Sequence, residues 1–259
     1  MADDAGLVVG ARSRSARHVA EARDATAYPA ELSVLLRMLD EVRPSGGAEL
    51  VSLRWDRRPP PDSPDGGAGL RLEATVTRRV PGEERATIHQ SVRVLDDHDR
   101  ERCRSTVAWS APVELSRSEA AAWKDADFAS VRWGERLRDR LAADPRFAAA
   151  TRSFDGAIAF AVPDRQVHFR IYRGTVIDVA RKSLDGATFA VEGADLAWVE
   201  LLGAASNDFI RRTSDGHFRV QGSGYQYLRM IKAVMIMIDQ ARALTRDPAV
   251  DTSLEATGA

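Results

Sequence analysis

Several features that define whole classes of protein are scarce or missing in this sequence of 259 residues. Cys103 is its only cysteine, which excludes a disulfide framework and a cysteine-based metal cluster. The sequence has no Gly-x-Gly-x-x-Gly fingerprint, and Gly222-Ser-Gly224 lacks the lysine and the spacing of a phosphate-binding loop. Its histidines show no convergent metal-ligand spacing with acidic residues. We therefore expect neither a cofactor nor a bound metal.

Strong charge and long apolar runs are missing as well. The formal net charge is -1, which gives no electrostatic reason to expect a nucleic-acid partner. The longest apolar run lies near the end of the chain, is interrupted by Arg229 and Lys232, and is too short to cross a bilayer. Nothing resembles a signal peptide. We expect a cytoplasmic protein without stable membrane insertion, and its abundant arginine and alanine indicate a GC-rich bacterial genome.

What the sequence does contain is enough apolar material for two modest cores. Hydrophobic residues make up 44% of the chain, as in a globular protein of two domains. A polar stretch, Trp123 to Asp127, follows helix-friendly sequence and indicates a boundary. We predict a first domain over residues 6–112, a linker over 113–126 and a second domain over 127–250. Residues 57–69, rich in proline and glycine, predict a surface loop or lid.

The second domain begins its sheet with alternating apolar residues. Phe154–Val162 and Val167–Tyr172 each place three apolar side chains on one face at period two, which predicts half-buried strands. Arg173-Gly174 predicts a tight hairpin turn. Asp195 is predicted to cap a helix, and Asn207 to cap a second turn. Three further strands are predicted over residues 176–179, 187–191 and 216–222.

The last helix, predicted over Tyr225 to Ala243, is unusually apolar. Leu228, Ile236 and Met237 widen its apolar stripe to more than half of the circumference, so the helix needs a second apolar contact. Unbranched methionines suit the wall of a cavity that accepts variable shapes. The alternative is a core helix that fills its own pocket, because buried apolar residues are usually core residues.

In their residues and in their order, these segments resemble the sterol carrier protein type two family. The resemblance rests on Phe154–Phe160, Phe169–Gly174, Ala187–Gly203 and Asp215–Gly224, preceded by a predicted opening helix over Phe128–Leu141. It implies a five-stranded sheet backed by helices, with a tunnel for a fatty acyl, acyl-CoA or sterol-like ligand. The side chains expected to line this tunnel are Phe160, Phe169, Phe189, Leu202, Phe218, Tyr227, Met230, Ile231, Val234, Met235 and Ile238.

The first domain reads as one helix followed by a meander of strands. Leucines on one face predict a helix over Pro29–Val42. Strands are predicted over residues 50–55, 70–77, 86–94 and 101–109, so that an antiparallel sheet wraps the helix. This order resembles a single MaoC-like hot-dog domain of the enoyl-CoA hydratase class. The whole chain is thus expected to be α+β, and a single hot-dog sheet would leave a long edge strand, which implies a homodimer or a hot-dog partner subunit.

The catalytic motif of that hydratase class is absent. The family carries an Asp and a His ahead of the main helix as its acid and base, but here residues 21–31 contain no histidine. Asp24 and Glu31 are weak candidates for a lone carboxylate base, since a carboxylate near a helix start is more often a capping or dipole partner. We expect a binding protein. The alternatives are a hydratase, dehydratase or thioesterase of lipid, steroid or polyketide metabolism, and a scaffold subunit that completes a catalytic partner.

The remaining polar residues give one further expectation. His168 and His217 fall at the polar phase of their strands and should point away from the apolar face. With Arg170, Arg219 and neighbouring cations they would make the outer sheet face positive, which attracts an anionic group. The alternative is a solvated face whose cations are paired with nearby carboxylates.

Overall fold

The computed structural model describes residues 8–16, 18–19, 38–45, 47–57 and 69–246. The chain divides into two compact units, Met1–Glu114 and Leu115–Ala259. The first is built on an antiparallel sheet and the second on a five-stranded sheet with helices, so the predicted α+β class is confirmed. Asp24, Glu31, residues 58–68 of the proline-rich loop and residues 29–37 of the predicted first helix lie outside the described residues.

Six strands form the sheet of the first unit. They run in the order β1-β4-β5-β6-β3, with β2 also paired to β4, and every neighbouring pair is antiparallel. Register shifts bend β3 against β6 at two places, as β-bulges do at sheet edges. The strands are β1 (Arg12–Arg14), β2 (His18–Val19), β3 (Glu49–Arg57), β4 (Gly69–Val80), β5 (Arg85–Leu95) and β6 (Glu101–Pro112).

From the region of the predicted first helix, the structure describes the α-helical residues Met38 and Leu39 and the 3-10 turn Asp40–Val42 that follows them. The backbone carbonyl of Val42 accepts hydrogen bonds from Ser13 Oγ at 3.3 Å and from Gln90 Nε2 at 3.1 Å. Met38, Leu39 and Val42 are buried. These contacts hold the turn against one face of the sheet, as expected where a sheet wraps a helix.

The second unit alternates helices with five strands. Its helices are α1 (Arg117–Ala126), α2 (Val131–Ala142), α3 (Pro145–Thr151), α4 (Asp195–Gly203), α5 (Phe209–Ser214) and α6 (Gly224–Thr245). Its strands are β7 (Asp155–Val162), β8 (Arg165–Tyr172), β9 (Thr175–Ala180), β10 (Phe189–Gly193) and β11 (Phe218–Gly222). The strand order is β11-β10-β7-β8-β9, and β10 is parallel to β7. Residues 181–188 therefore connect the edge strand β9 to β10 past two intervening strands.

Local sequence explains where these elements begin. Ser116 and Glu119 form a reciprocal capping box before α1, within the stretch expected as the linker. Ser223 Oγ accepts the backbone N–H of Gln226 and starts α6. The Arg173-Gly174 turn has positive φ at both residues, 46° and 96°, which matches the twist of a tight hairpin.

Two predictions about the helices are wrong in detail, and one helix was missed. The opening helix begins at Val131 rather than Phe128, because Ser130 Oγ accepts the N–H of Trp133 and forms the cap. Asp195 is the first helical residue of α4, after Ala194, and its carboxylate instead accepts a hydrogen bond from Arg165 at 2.7 Å. Helix α3, capped by Asp144 with a proline in its first turn, was not predicted.

Candidate functional site

The eleven side chains predicted to line a tunnel come together in one apolar cluster of the second unit. Eight of them are buried members of the cluster, while Tyr227, Ile231 and Met235 are partly buried and pack against it. They come from three strands of the inner sheet face, from β11, and from α4 and α6. The arrangement follows from the period-two alternation of the strands, which puts Phe160, Phe169 and Phe189 on one face.

One half of this cluster is filled by aromatic rings. The ring centroids of Trp198 and Phe160 are 5.0 Å apart, and those of Trp198 and Phe218 are 4.8 Å apart. Phe160 in turn meets Phe169 edge-on at 5.8 Å. Trp198 Nε1 donates to the carbonyl of Ala161 at 3.0 Å, so the buried indole is also satisfied. Phe160, Phe169 and Phe218 are therefore packed against protein rings rather than left facing open space.

The other half of the cluster is mainly aliphatic and belongs to α6. Here the rings of Phe189 and Tyr227 contact each other, with their centroids 5.7 Å apart. Tyr227, Ile231 and Met235 recur at every fourth residue, so they form a stripe along one side of the helix. This α6 seam is partly open to solvent, whereas Met230, Val234 and Ile238 beside it are buried. The seam is one of the places where partly buried apolar side chains border the apolar interior of the unit.

The width of the apolar stripe on α6 has a structural explanation. Helices α2, α3 and α4 all pack against α6, and Ile236 and Met237 are buried. Protein therefore supplies the second apolar contact that the wide stripe requires for these two residues. Leu228, which widened the predicted stripe, is instead exposed. The residues of α6 that remain candidates for ligand contact are therefore those of the seam and their immediate neighbours.

One polar side chain, that of Asn207, holds the seam in place through several hydrogen bonds. Asn207, on the connection between α4 and α5, donates through Nδ2 to the carbonyl of Met235 at 3.2 Å and to Asp239 Oδ1 at 2.9 Å. Its Oδ1 accepts the N–H of Phe209 at 3.3 Å. The prediction that Asn207 caps a turn identified only the last of these bonds. Burial raises the pKa of the Tyr227 phenol, which keeps that hydroxyl neutral beside the apolar side chains.

Several residues of the cluster were not predicted. Trp133, Leu137 and Leu141 follow a four-residue spacing on α2 and are buried, so helical periodicity could have found them. Trp198 is buried on α4, whereas its neighbour Val199 is only half-buried. A helix of nine residues is too short for its periodicity to choose between such neighbours.

His168 is buried, although its strand position predicted exposure. Its side chain is only 3% exposed, and Nδ1 accepts the backbone N–H of Ser183 at 3.1 Å. Ser183 lies in the 181–188 connection, which therefore covers this part of the outer sheet face. Nε2 has no hydrogen-bond partner within the described part of the chain. Burial, and secondarily the charge of Lys182, lowers the pKa of His168.

The cations of the outer face are largely paired. Arg170 forms an ion pair with Asp155, and Arg219 contacts Glu192 at 2.6 Å. In the helix before β11, Arg211 and Arg212 both contact Asp208, which lowers the pKa of its carboxyl against the opposing effect of burial. These contacts favour the solvated, paired face over an anion-binding one.

The described residues of the first unit include polar side chains that make structural contacts. Asp24 and Glu31 are outside them. Gln90, buried in the sheet, accepts Trp109 Nε1–H at 2.8 Å and donates to Val42, so it is a structural bridge. Within the described ranges no group of three His, Cys, Asp or Glu side chains could hold a metal ion. No helix in those ranges is long and apolar enough to span a membrane.

Comparison with known proteins gives likenesses of fold. Neither a family model nor a curated protein sequence matches the chain. A crystal structure of sterol carrier protein 2 matches with a TM-score of 0.40 at 15% identity, over 45% of this chain and 98% of that chain. A MaoC-like dehydratase from Rhodospirillum rubrum matches with a TM-score of 0.31 at 18% identity, over 42% of this chain and 96% of that chain. An R-hydratase from Pseudomonas aeruginosa matches with a TM-score of 0.34 at 14% identity, over 45% and 94%.

Proposed function

We propose that the second unit binds a long hydrophobic ligand, a fatty acyl, acyl-CoA or sterol-like molecule, against the aliphatic half of its core. The observation that carries this proposal is the α6 seam. Tyr227, Ile231 and Met235 form a continuous apolar stripe that reaches from solvent to the buried side chains of Met230 and Val234. A ligand entering there would replace water over surface that is already apolar, which favours binding.

The residue types along the seam suit a ligand of variable shape. Met230 and Met235 have unbranched side chains that change rotamer at little cost and so make room for a chain or a ring. In the other half of the cluster, the rings packed around Trp198 form a stiff wall. Tyr227 carries the only hydroxyl among the eleven predicted lining residues, and a neutral phenol can donate a hydrogen bond to the polar end of a lipid.

We further propose that the first unit is a non-catalytic hot-dog domain that supports assembly or shapes the substrate. The sequence lacks the Asp and His pair of the hydratase motif, and positioned acid–base catalysis contributes about a hundred- to ten-thousand-fold to such reactions. Among the described strands, β3 is at the edge of its sheet. Leu50 and Val51 on that strand are 42% and 62% exposed, which supports pairing with a second hot-dog sheet.

Ligand binding is tested by titrating the full chain with a fluorescent fatty acid. We expect saturable binding that fatty acids or sterols displace, and we expect Met235→Trp to weaken it at least tenfold, because the indole fills the seam. Leu184→Trp is the matched control, since it adds the same ring at an exposed position away from the cluster. Absence of displaceable binding by the wild type, or equal losses in both variants, would contradict the proposal.

Catalysis is tested separately with crotonyl-CoA and longer enoyl-CoA substrates. We expect hydration by the full chain at the rate of the buffer alone. Asp24→Ala and Glu31→Ala should then leave this background rate unchanged. Turnover by the wild type that either substitution abolishes, with the fold retained, would identify an enzyme instead of a carrier.

A further inference from the structure

The first two turns of α6 present an exposed stripe on the side that faces away from the core. It consists of Tyr225, Leu228, Arg229 and Lys232, which are spaced i, i+3, i+4 and i+7 and therefore share one helix face. Tyr225 and Leu228 are each 69% exposed, and Arg229 and Lys232 are exposed as well. We call this set the outward stripe. It combines two large apolar side chains with two cations.

Charge along this part of the chain has one sign. No aspartate or glutamate occurs between Gly216 and Ile238, so the helix carries no acidic residue beside the outward stripe in sequence. The Arg229 guanidinium carbon lies 5.7 Å from the Tyr225 ring centroid, a cation–π distance that leaves the guanidinium donors available to solvent. The start of a helix also carries positive partial charge. The stripe is therefore complementary to a surface that is apolar beneath and anionic on top.

Leu184 is a second exposed leucine, and comparison with it shows why the helical arrangement of the outward stripe matters. Leu184, on the 181–188 connection, is fully exposed and follows Arg181 and Lys182. However, Asp185 comes directly after it, and the connection has no helical face on which apolar and cationic side chains alternate. Leu184 is thus a single exposed side chain, which is common on protein surfaces, whereas the outward stripe is a continuous face.

We infer that the outward stripe is a docking surface for a lipid bilayer with anionic headgroups. Leu228 and the ring of Tyr225 would insert at the boundary between headgroups and acyl chains, where tyrosine is favoured. Arg229 and Lys232 would contact the headgroup phosphates, which attract cations near the membrane surface. The α6 seam lies on the same helix, so a docked unit would hold the entrance proposed above close to the bilayer. This last point rests on the proposed function, while the docking itself does not.

The test is co-sedimentation of the full chain with vesicles of phosphatidylcholine, with and without phosphatidylglycerol. We expect binding to the anionic vesicles, weakened by high salt because salt screens the cations. Leu228→Asp should reduce the partition coefficient roughly tenfold or more, by removing the inserted side chain. Arg229→Gln combined with Lys232→Gln should reduce it by a similar factor. Leu184→Asp is the matched control and should leave it unchanged.

Each outcome decides the inference. It is overturned if the wild type does not sediment with anionic vesicles, if it binds neutral vesicles equally well, or if Leu184→Asp weakens binding while Leu228→Asp does not. Titration of Leu228→Asp with fluorescent fatty acid in the absence of vesicles should match the wild type, because Leu228 lies outside the apolar cluster. Fatty-acid binding without vesicle binding refutes docking alone, and vesicle binding without fatty-acid binding refutes the carrier alone.

Discussion

The two units of this protein bury their sheets in different ways. The second unit packs the inner face of its sheet with an apolar cluster in which the buried rings of Trp198 and Phe160 meet. The first unit also has an apolar core, but its strands bury more polar side chains, among them Glu73 and Gln90. Burial acts to raise the pKa of the Glu73 carboxyl, but hydrogen bonds and charges from Arg93 and Arg14 outweigh it and hold the pKa below its ordinary value.

This difference indicates which unit can accommodate a guest molecule. Buried polar groups must keep specific partners, because an unsatisfied donor or acceptor loses its hydration without compensation. An apolar cluster depends on shape, and its flexible methionines can rearrange without breaking a directional bond. We therefore expect the polar partners of the first unit to specify one arrangement and the α6 side of the second unit to tolerate several.

The largest difference in unfolding free energy is expected between a substitution in the aromatic half of the second unit's core and a substitution on the protein surface. Trp198→Ala removes a buried ring that contacts Phe160 and Phe218 and should lower the free energy of unfolding by about 3–5 kcal/mol. Tyr225→Ala, at an exposed position, should change it by less than about 0.5 kcal/mol. Urea unfolding followed by circular dichroism measures both. Equal, small effects would show that the ring cluster is not a tightly packed core.

A smaller effect is expected from the polar bridge of the first unit. Gln90→Met leaves the Trp109 Nε1–H buried without its acceptor, and should lower the free energy of unfolding by about 1–3 kcal/mol. Val42 keeps its hydrogen bond from Ser13. Adding Trp109→Phe removes the orphaned donor, so the double variant should recover part of the polar penalty. Strictly additive losses in the two single variants would contradict this role of Gln90.

A still smaller effect is expected from His168, which should lower the free energy of unfolding as the pH becomes acidic. Because burial lowers its pKa in the folded state, the unfolded chain, with a pKa of about 6.5, takes up the proton first. The stabilisation is fully present above that value and is lost as pH falls from it through the folded pKa. Unfolding free energies at pH 7.5 and 5.5 should differ less in His168→Gln than in the wild type. Identical pH dependence of the two proteins would refute the prediction.

The smallest effect on folding is expected from substitutions at the sheet edges. A substitution on β3 should change assembly instead. Light scattering at micromolar concentration should show more than one chain for the wild type if two β3 edges pair. Val51→Lys should give a single chain, with unchanged unfolding behaviour because Val51 is exposed. Ile177→Lys, on the edge strand β9 of the other sheet, should keep the assembly. A monomeric wild type without a co-purifying subunit would contradict the hot-dog assembly.

Much of the fold could be predicted because its signals are local. Period-two alternation located β7 and β8, and Arg173-Gly174 located the hairpin after β8, since each depends only on neighbouring residues. The same alternation placed Phe160 and Phe169 on the apolar faces of their strands, and the pairing of β7 with β8 brings these faces together. It failed at His168, because a distant segment, residues 181–188, covers a position that the strand by itself would expose.

The sequence by itself determined the α+β class, the wide apolar stripe of the last helix and the absence of the hydratase motif, because composition and periodicity are properties of contiguous residues. Tertiary structure alone decided that β10 lies between β7 and β11, so that the rings of Trp198 and Phe160 meet. It also decided how the stripe on α6 is divided. Ile236 and Met237 are buried, Tyr227, Ile231 and Met235 are left half open, and Leu228 faces water. That division depends on which elements pack around a helix, and contacts between elements distant in sequence leave no periodic signal.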